Sequence, residues 1–237
     1  MPSGPSLHLS GGGVDPCELA DLAASLGFVL DDAVRTGLAV YLDLLMHRNR
    51  AVNLVGTRTW QDSLRRLVLD SLYLGPFLAR LPLPAVPLCW DPGAGAGLPG
   101  IPLRLVWDRG EYWMIEAREK RALFLSTVLA RLSLPGTHVY RGRLEHFMAG
   151  HPAGQAPVDL VLSRAFMPWR DFLTLIGPRL EPSGSVVLLL NELPPETAWA
   201  TPCGGRHWRL QASLSYAADG ARRVLCAVQQ KARRGTA

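Results

Sequence analysis

Trp90-Asp91-Pro92-Gly93-Ala94-Gly95-Ala96-Gly97-Leu98-Pro99-Gly100-Ile101-Pro102 sets four glycines and an acid at one junction between a strand and a helix. The preceding Pro87-Leu88-Cys89-Trp90 reads as the end of a buried strand that Asp91 closes. Gly93, Gly95 and Gly97 let the turn take positive φ and lie flat against a ligand. From Leu98 a helix is predicted, with Pro99 and Pro102 in its first turn, where a missing N–H breaks no intrahelical bond. Exposed amides at such an end favour a carboxylate or phosphate by about 0.3–1 kcal/mol through the helix dipole. The junction is built to hold a small ligand by its backbone.

As a bare pattern, Gly95-Ala96-Gly97-Leu98-Pro99-Gly100 fits the dinucleotide fingerprint G-x-G-x-x-G, which also arises by chance. Asp91, two residues before Gly93, would repel a pyrophosphate but suits the α-amino group of a methionine moiety, which points to S-adenosylmethionine. One strand later Glu116 ends the apolar run Tyr112-Trp113-Met114-Ile115, near the spacing of roughly 20 residues at which a carboxylate takes ribose hydroxyls. A nicotinamide enzyme and a glycine-rich turn without a ligand are the competing readings.

Working outward, apolar residues recur at helical spacing over Glu18–Leu26, Asp32–Met46 (with Leu38, Leu42 and Leu45 as one stripe) and Gln61–Leu69. Pro82, Pro84 and Pro87 then break the chain. Beyond them, strands over 86–91, 111–116, 137–141, 158–162 and 185–191 alternate with helices over 98–107, 119–132, 144–148 and 169–177, the pattern of a parallel sheet wound with helices. Residues 206–214 and 222–229 read as two strands joined by the turn Tyr216-Ala217-Ala218-Asp219-Gly220, an antiparallel hairpin on the sheet edge. The predicted fold is therefore α/β, a Rossmann-like class I methyltransferase fold with a seven-stranded, mostly parallel sheet. The expected organisation is a disordered tail over 1–14, a helical extension over 15–84, the methyltransferase domain over 85–230 and a basic tail over 231–237.

The formal charge of +5 suggests an acidic partner, and all 25 basic residues except Lys120 and Lys231 are arginine, whose planar fork suits phosphate. High genomic GC content raises arginine too, so clusters matter more than totals. The Ser/Gly/Pro-rich start lacks the basic and apolar regions of a signal peptide, and the longest aliphatic run, Val186–Leu190, is too short to cross a membrane. Cys17, Cys89, Cys203 and Cys226 show no metal-ligand spacing. A monomer without metal in a reducing cytoplasm is the expectation.

With these residues placed, the chain resembles the RsmG (GidB) family across roughly residues 35–230. The markers are Asn49-Arg50-Ala51-Val52-Asn53-Leu54, Leu69-Asp70-Ser71-Leu72, the stretch Asp91–Leu103, Glu116 with Lys120-Arg121 and Phe124-Leu125, Arg143-Leu144-Glu145, and Ser163-Arg164-Ala165-Phe166. The resemblance implies methylation of guanine N7 in small-subunit (16S) ribosomal RNA with S-adenosylmethionine. It implies that Asp91, Gly93, Ala94, Gly95, Leu98 and neighbouring amides hold the methionine part, Glu116 and Ala117 the ribose, and Leu144 with Glu145 the adenine edge, with Arg164 beside them. Leu67, Val55 and Asn191 stand where family members carry histidine, threonine and lysine. A methyltransferase for a small molecule and an RNA-binding relative without turnover remain alternatives.

Guanine N7 keeps a free lone pair at neutral pH, so no general base is expected, and the scattered His47, His138, His146, His151 and His207 suggest none. Orientation can supply roughly 7–11 kcal/mol. For RNA the candidates are Arg164 at a strand end, Phe166 and Trp169 as stacking faces, Lys120 and Arg121 at a helix start, and Arg65 and Arg66 in the densest basic region. Asn53 and Asp70 read as structural caps or anchors.

Overall fold

The computed structural model describes residues 13–231; most of the tails expected over 1–14 and 231–237 lies outside them. Helix α1 (Pro16–Ser25) starts at Asp15 and α2 (Asp32–Val52) at Asp31, each aspartate accepting a backbone N–H in its first turn at 2.8 Å. The Leu38-Leu42-Leu45 stripe of α2 is fully buried. The helix stops at Asn53, whose left-handed φ of 42° turns the chain away.

The next helical run covers α3 (Trp60–Ser63), a π-helical turn over Leu64–Val68, and α4 (Leu69–Ala79). It continues to Ala79, beyond the Leu69 end read from the sequence. Leu69, Leu72, Leu74, Phe77 and Leu78 bury α4 on several faces, so it offers no amphipathic period to read.

The remaining chain alternates β1 (Leu88–Pro92), α5 (Gly100–Val106), β2 (Glu111–Glu116), α6 (Glu119–Leu129), β3 (Thr137–Arg141), α7 (Leu144–Gly150), α8 (Pro152–Gln155), β4 (Val158–Arg164), α9 (Trp169–Ile176), β5 (Leu180–Leu190), β6 (Trp208–Ala218) and β7 (Ala221–Gln230). The strands form one seven-stranded sheet in the order β3-β2-β1-β4-β5-β7-β6, parallel except that β7 runs against both its neighbours. The predicted fold class stands. Strand order reverses between β1 and β4, where ligands bind in open α/β sheets.

Three of the boundaries that differ from the sequence reading have a local cause. Helix α5 starts at Gly100, because Gly97 and Leu98 donate back to the Ala94 carbonyl and keep the chain in a turn. Strand β5 begins at Leu180, and a register shift between Val158 and Leu160 absorbs the extra residues. The hairpin turn is only Asp219-Gly220, with φ of 50° and 71°, the two-residue form that matches strand twist.

Alternation along each strand divides the core. Cys89, Leu160, Leu162 and Val187 face α1–α6, whereas Trp90, Val161, Val186 and Leu188 face α7 and α9. The first cluster joins Leu38, Leu42 and Leu72 of the helical extension to Ile101 and Leu125 of the sheet domain. Extension and sheet therefore share one apolar core. Among the described residues, no helix is long and apolar enough to cross a membrane.

Candidate active site

The glycine turn runs from the end of β1 into α5 with Gly93, Gly95 and Gly97 at φ of 71°, 59° and 83°. Its donors meet protein acceptors. Gly93 and Ala94 N–H donate to the Ile115 carbonyl at 2.8 and 3.3 Å, and Gly95 N–H donates to Glu116 Oε2 at 2.9 Å. In this structure the neighbouring end of β2 accepts from all three of these amides. The glycines instead permit close approach: a Cβ at Gly93 would stand 2.5 Å from the Phe166 ring, and one at Gly97 2.3 Å from Ile101.

The helical extension holds the turn from outside. The Tyr41 hydroxyl donates to the Ala96 carbonyl and the Ser71 hydroxyl to the Pro99 carbonyl, both at 2.9 Å. Asn49 fixes the loop below it, donating to Val55 and Thr57 carbonyls and accepting from Val55 N–H. None of these contacts was legible from spacing.

Beside the turn, a cleft of about 790 Å³ opens over the ends of β2, β3 and β4, within the usual range of roughly 300–1,000 Å³ for ligand sites. Gly93, Glu116, Ala117, Leu144 and Glu145 line it, as do Arg118, Arg121, Arg143, His146 and Phe166. Glu116, only 5% exposed, accepts from Gly95 and Arg118 amides, one on each oxygen. Ala94, Gly95 and Leu98 do not line the cleft.

Asp91 is also off the wall. It is 2% exposed, its Oδ2 accepts from the Tyr112 hydroxyl at 3.1 Å, and a Cβ on Gly100 would come within 2.7 Å of that oxygen. Burial pushes its pKa from the ordinary 3.8 up to about 7, against the opposing pull of the Tyr112 hydroxyl and the Arg164 charge. Asp91 thereby ties together β1, β2 and the start of α5.

The basic and aromatic candidates divide among three places. Phe166 lines the cofactor-sized cleft, while Trp169 lines a second cavity of about 400 Å³ at the ends of β4 and β5; Ala165, at φ 51°, lines both. Arg121 joins the cleft to a basin of about 690 Å³ walled by Arg50 and Arg58. Lys120 is exposed and lines none of these cavities. Arg164 pairs with the buried Asp70 at 3.0 Å and donates to the Leu67 carbonyl, so its charge is already matched. Arg66 pairs with Asp219 of the hairpin turn at 3.2 Å, and neighbouring Arg65 has no ion pair among the described residues.

Residues 35–198 match the family described as rRNA small subunit methyltransferase G. The chain belongs to that family. Ribosomal RNA small subunit methyltransferase G of Nitratidesulfovibrio vulgaris is 52% identical over 206 residues, covering 82% of this chain and 93% of that protein. The protein of that name from Lawsonia intracellularis is 43% identical over 213 residues, covering 90% and 94%. Among solved structures, the O-methyltransferase TomG from Streptomyces achromogenes, in complex with SAM, aligns at a TM-score of 0.56 and 16% identity over 90% of this chain and 96% of that one. That likeness is one of fold.

Membership makes the chain a ribosomal RNA methyltransferase G-family enzyme that uses S-adenosylmethionine. The cleft fits this cofactor on its own geometry. A buried carboxylate, each oxygen accepting from one backbone amide and so keeping a lone pair for a further donor, stands beside a turn where a Cβ on Gly95 would meet nothing nearer than 3.7 Å. Among the described residues, no three His, Cys, Asp or Glu side chains come together in a way that could hold a metal ion.

Proposed function

We propose that the chain methylates N7 of a guanine in 16S ribosomal RNA, with the methyl donor held in the cleft beside Glu116. Gly93, Glu116 and Ala117 hold its amino-acid and ribose parts, and Leu144 with Glu145 frames its adenine. When bound, the cofactor supplies an electrophilic methyl group on a sulfonium centre. Guanine N7 carries its own lone pair at neutral pH, so no side chain here removes a proton. The chain's residues bind and orient, and orientation alone can supply roughly 7–11 kcal/mol.

The observation that carries this reading is the Glu116 carboxylate, buried at the end of β2 and touching the glycine turn through Gly95. The open basin with Arg50, Arg58 and Arg121 beside the cleft supports a polyanion over a small acceptor. Arg65, Arg121 and Trp169 then face RNA; Arg164 and Asp70 position the wall between cofactor and acceptor. A monomer working in the cytoplasm suits this substrate.

Tritium from labelled S-adenosylmethionine is expected in small-subunit RNA, at a guanine whose glycosidic bond becomes labile to borohydride and aniline. Cofactor binding by calorimetry without label in RNA or subunits overturns the assignment. Elution at twice the chain mass on size exclusion overturns the monomer.

A further inference from the structure

The second cavity lies where the ends of β4 and β5 meet the start of β7, and Asp70, Arg164, Trp169, Asn191, Tyr216 and Arg223 all line it. Three of these carry charge at pH 7. Asp70 and Arg164 cancel each other across 3.0 Å, and the Tyr216 hydroxyl donates to the second Asp70 oxygen at 2.8 Å. Arg223 is different. Its Nη1 donates to Asn191 Oδ1 at 3.1 Å, its Nε has no hydrogen-bond partner, and among the described residues it makes no ion pair.

The cavity is thus left with one uncompensated positive charge, at a rim whose other walls include Met167, Leu189 and the indole of Trp169. A guanidinium without an ion pair on this rim suits the phosphate of a single nucleotide, while the Trp169 ring is already flanked by Trp199 at 4.8 Å and by the Arg170 guanidinium at 5.1 Å and serves as wall. Ala165 is common to this cavity and the cofactor cleft, so a nucleotide seated here adjoins the methyl donor's site. We propose that Arg223, oriented by Asn191, binds the phosphate of the RNA nucleotide that enters this cavity. The proposal rests on the RNA-methylation reading above and names a phosphate-gripping residue for it. The cation arrives from β7, across the sheet from the strand end at Asn191, and either position can deliver a charge to the same rim.

The test uses the full chain saturated with S-adenosylmethionine and titrates fluorescent small-subunit RNA at several salt concentrations, with methylation followed in parallel. Each phosphate contact to single-stranded RNA contributes about 0.7 to the slope of log K against log salt. Arg223→Ala and Arg223→Gln are both expected to lower that slope by about 0.7 and weaken RNA binding about tenfold, with cofactor affinity unchanged by calorimetry. Arg223→Lys keeps the slope, and the double variant Asn191→Lys/Arg223→Ala regains it. An unchanged slope in Arg223→Gln, which removes the charge but keeps a polar amide on a partly apolar stem, overturns the proposal even if Arg223→Ala fails to fold. An unrecovered slope in the folded double variant overturns the claim that the rim itself is the phosphate site. Wild-type chain that binds RNA with an Arg223-dependent slope yet transfers no methyl group breaks the parent reading and leaves this one standing.

Discussion

The two cavities at the C-terminal edge of the sheet are assembled in opposite ways. The cofactor cleft draws on Gly93 and on short segments within 115–121, 142–146 and 165–166, each at or just after the end of a strand. The neighbouring cavity collects Asp70, Arg164, Asn191, Tyr216 and Arg223, one from each of five separate elements or loops. The first depends on backbone geometry and one buried acid; the second depends on long-range side-chain pairing. Two neighbouring cavities on one sheet edge can thus be built, one from local segments and one from side chains brought together by the whole fold.

Removing the centre of the long-range network is the hardest test of this contrast. Asp70→Ala leaves Arg164, 17% exposed, without its counter-charge and Tyr216 without its acceptor. A loss of about 3–5 kcal/mol is expected by thermal or denaturant unfolding, as for other broken buried pairs, and a loss below about 1 kcal/mol would show that the network is not buried in solution. Cofactor affinity of the folded fraction should hold, because Asp70 does not line the cleft.

Asp91 sharpens the other side. Its folded pKa of about 7 lies above the ordinary 3.8, so the folded chain holds the proton more tightly than the unfolded one. Stability therefore falls as pH rises from about 4 to about 7 and levels off above, by up to about 4 kcal/mol from this group. Asp91→Asn should remove that decline from the pH profile of the melting temperature. An identical profile in the variant would mean that Asp91 is solvated.

Two smaller effects probe the cleft itself. Glu116→Gln loses a charged acceptor for the Gly95 and Arg118 amides and for ribose hydroxyls, so cofactor binding should weaken by about 1.5–3 kcal/mol in calorimetry. Retained affinity would detach the carboxylate from the sugar. Ser71→Ala removes one hydrogen bond to the Pro99 carbonyl, with an expected cost of about 1 kcal/mol in stability and a weaker cofactor complex. An unaltered complex would separate the extension from the ligand.

This difference also decides what could be read in the chain beforehand. The alternation of strands and helices, the hairpin and the glycine turn carry local signals of period, φ and spacing, and the sheet follows them closely. Glu116 can be placed from its position at the end of the strand after the glycine turn, because strand ends in a doubly wound sheet converge on one edge, whereas Leu144 and Glu145 come only from the family resemblance. The partners of the loop amides were not legible, since Ile115 and Glu116 reach them only through parallel pairing of β1 with β2. Nor could spacing reveal that Arg164 would find Asp70 or that Arg66 would find Asp219. Arginine count misleads for the same reason: buried Arg104 donates to the carbonyls of Trp107, Asp108, Arg109 and Pro135 and serves turns, not RNA.

The apolar cluster that runs from Leu38 and Leu72 to Ile101 and Leu125 sets the smallest piece of this protein that can stand alone. A fragment cut at the proline-rich entry would keep every strand and the whole glycine turn, yet expose Ile101 and Leu125 to water and release the carbonyls of Ala96 and Pro99 from their hydroxyl partners. Grafting the catalytic sheet onto another carrier therefore requires the N-terminal helices to travel with it.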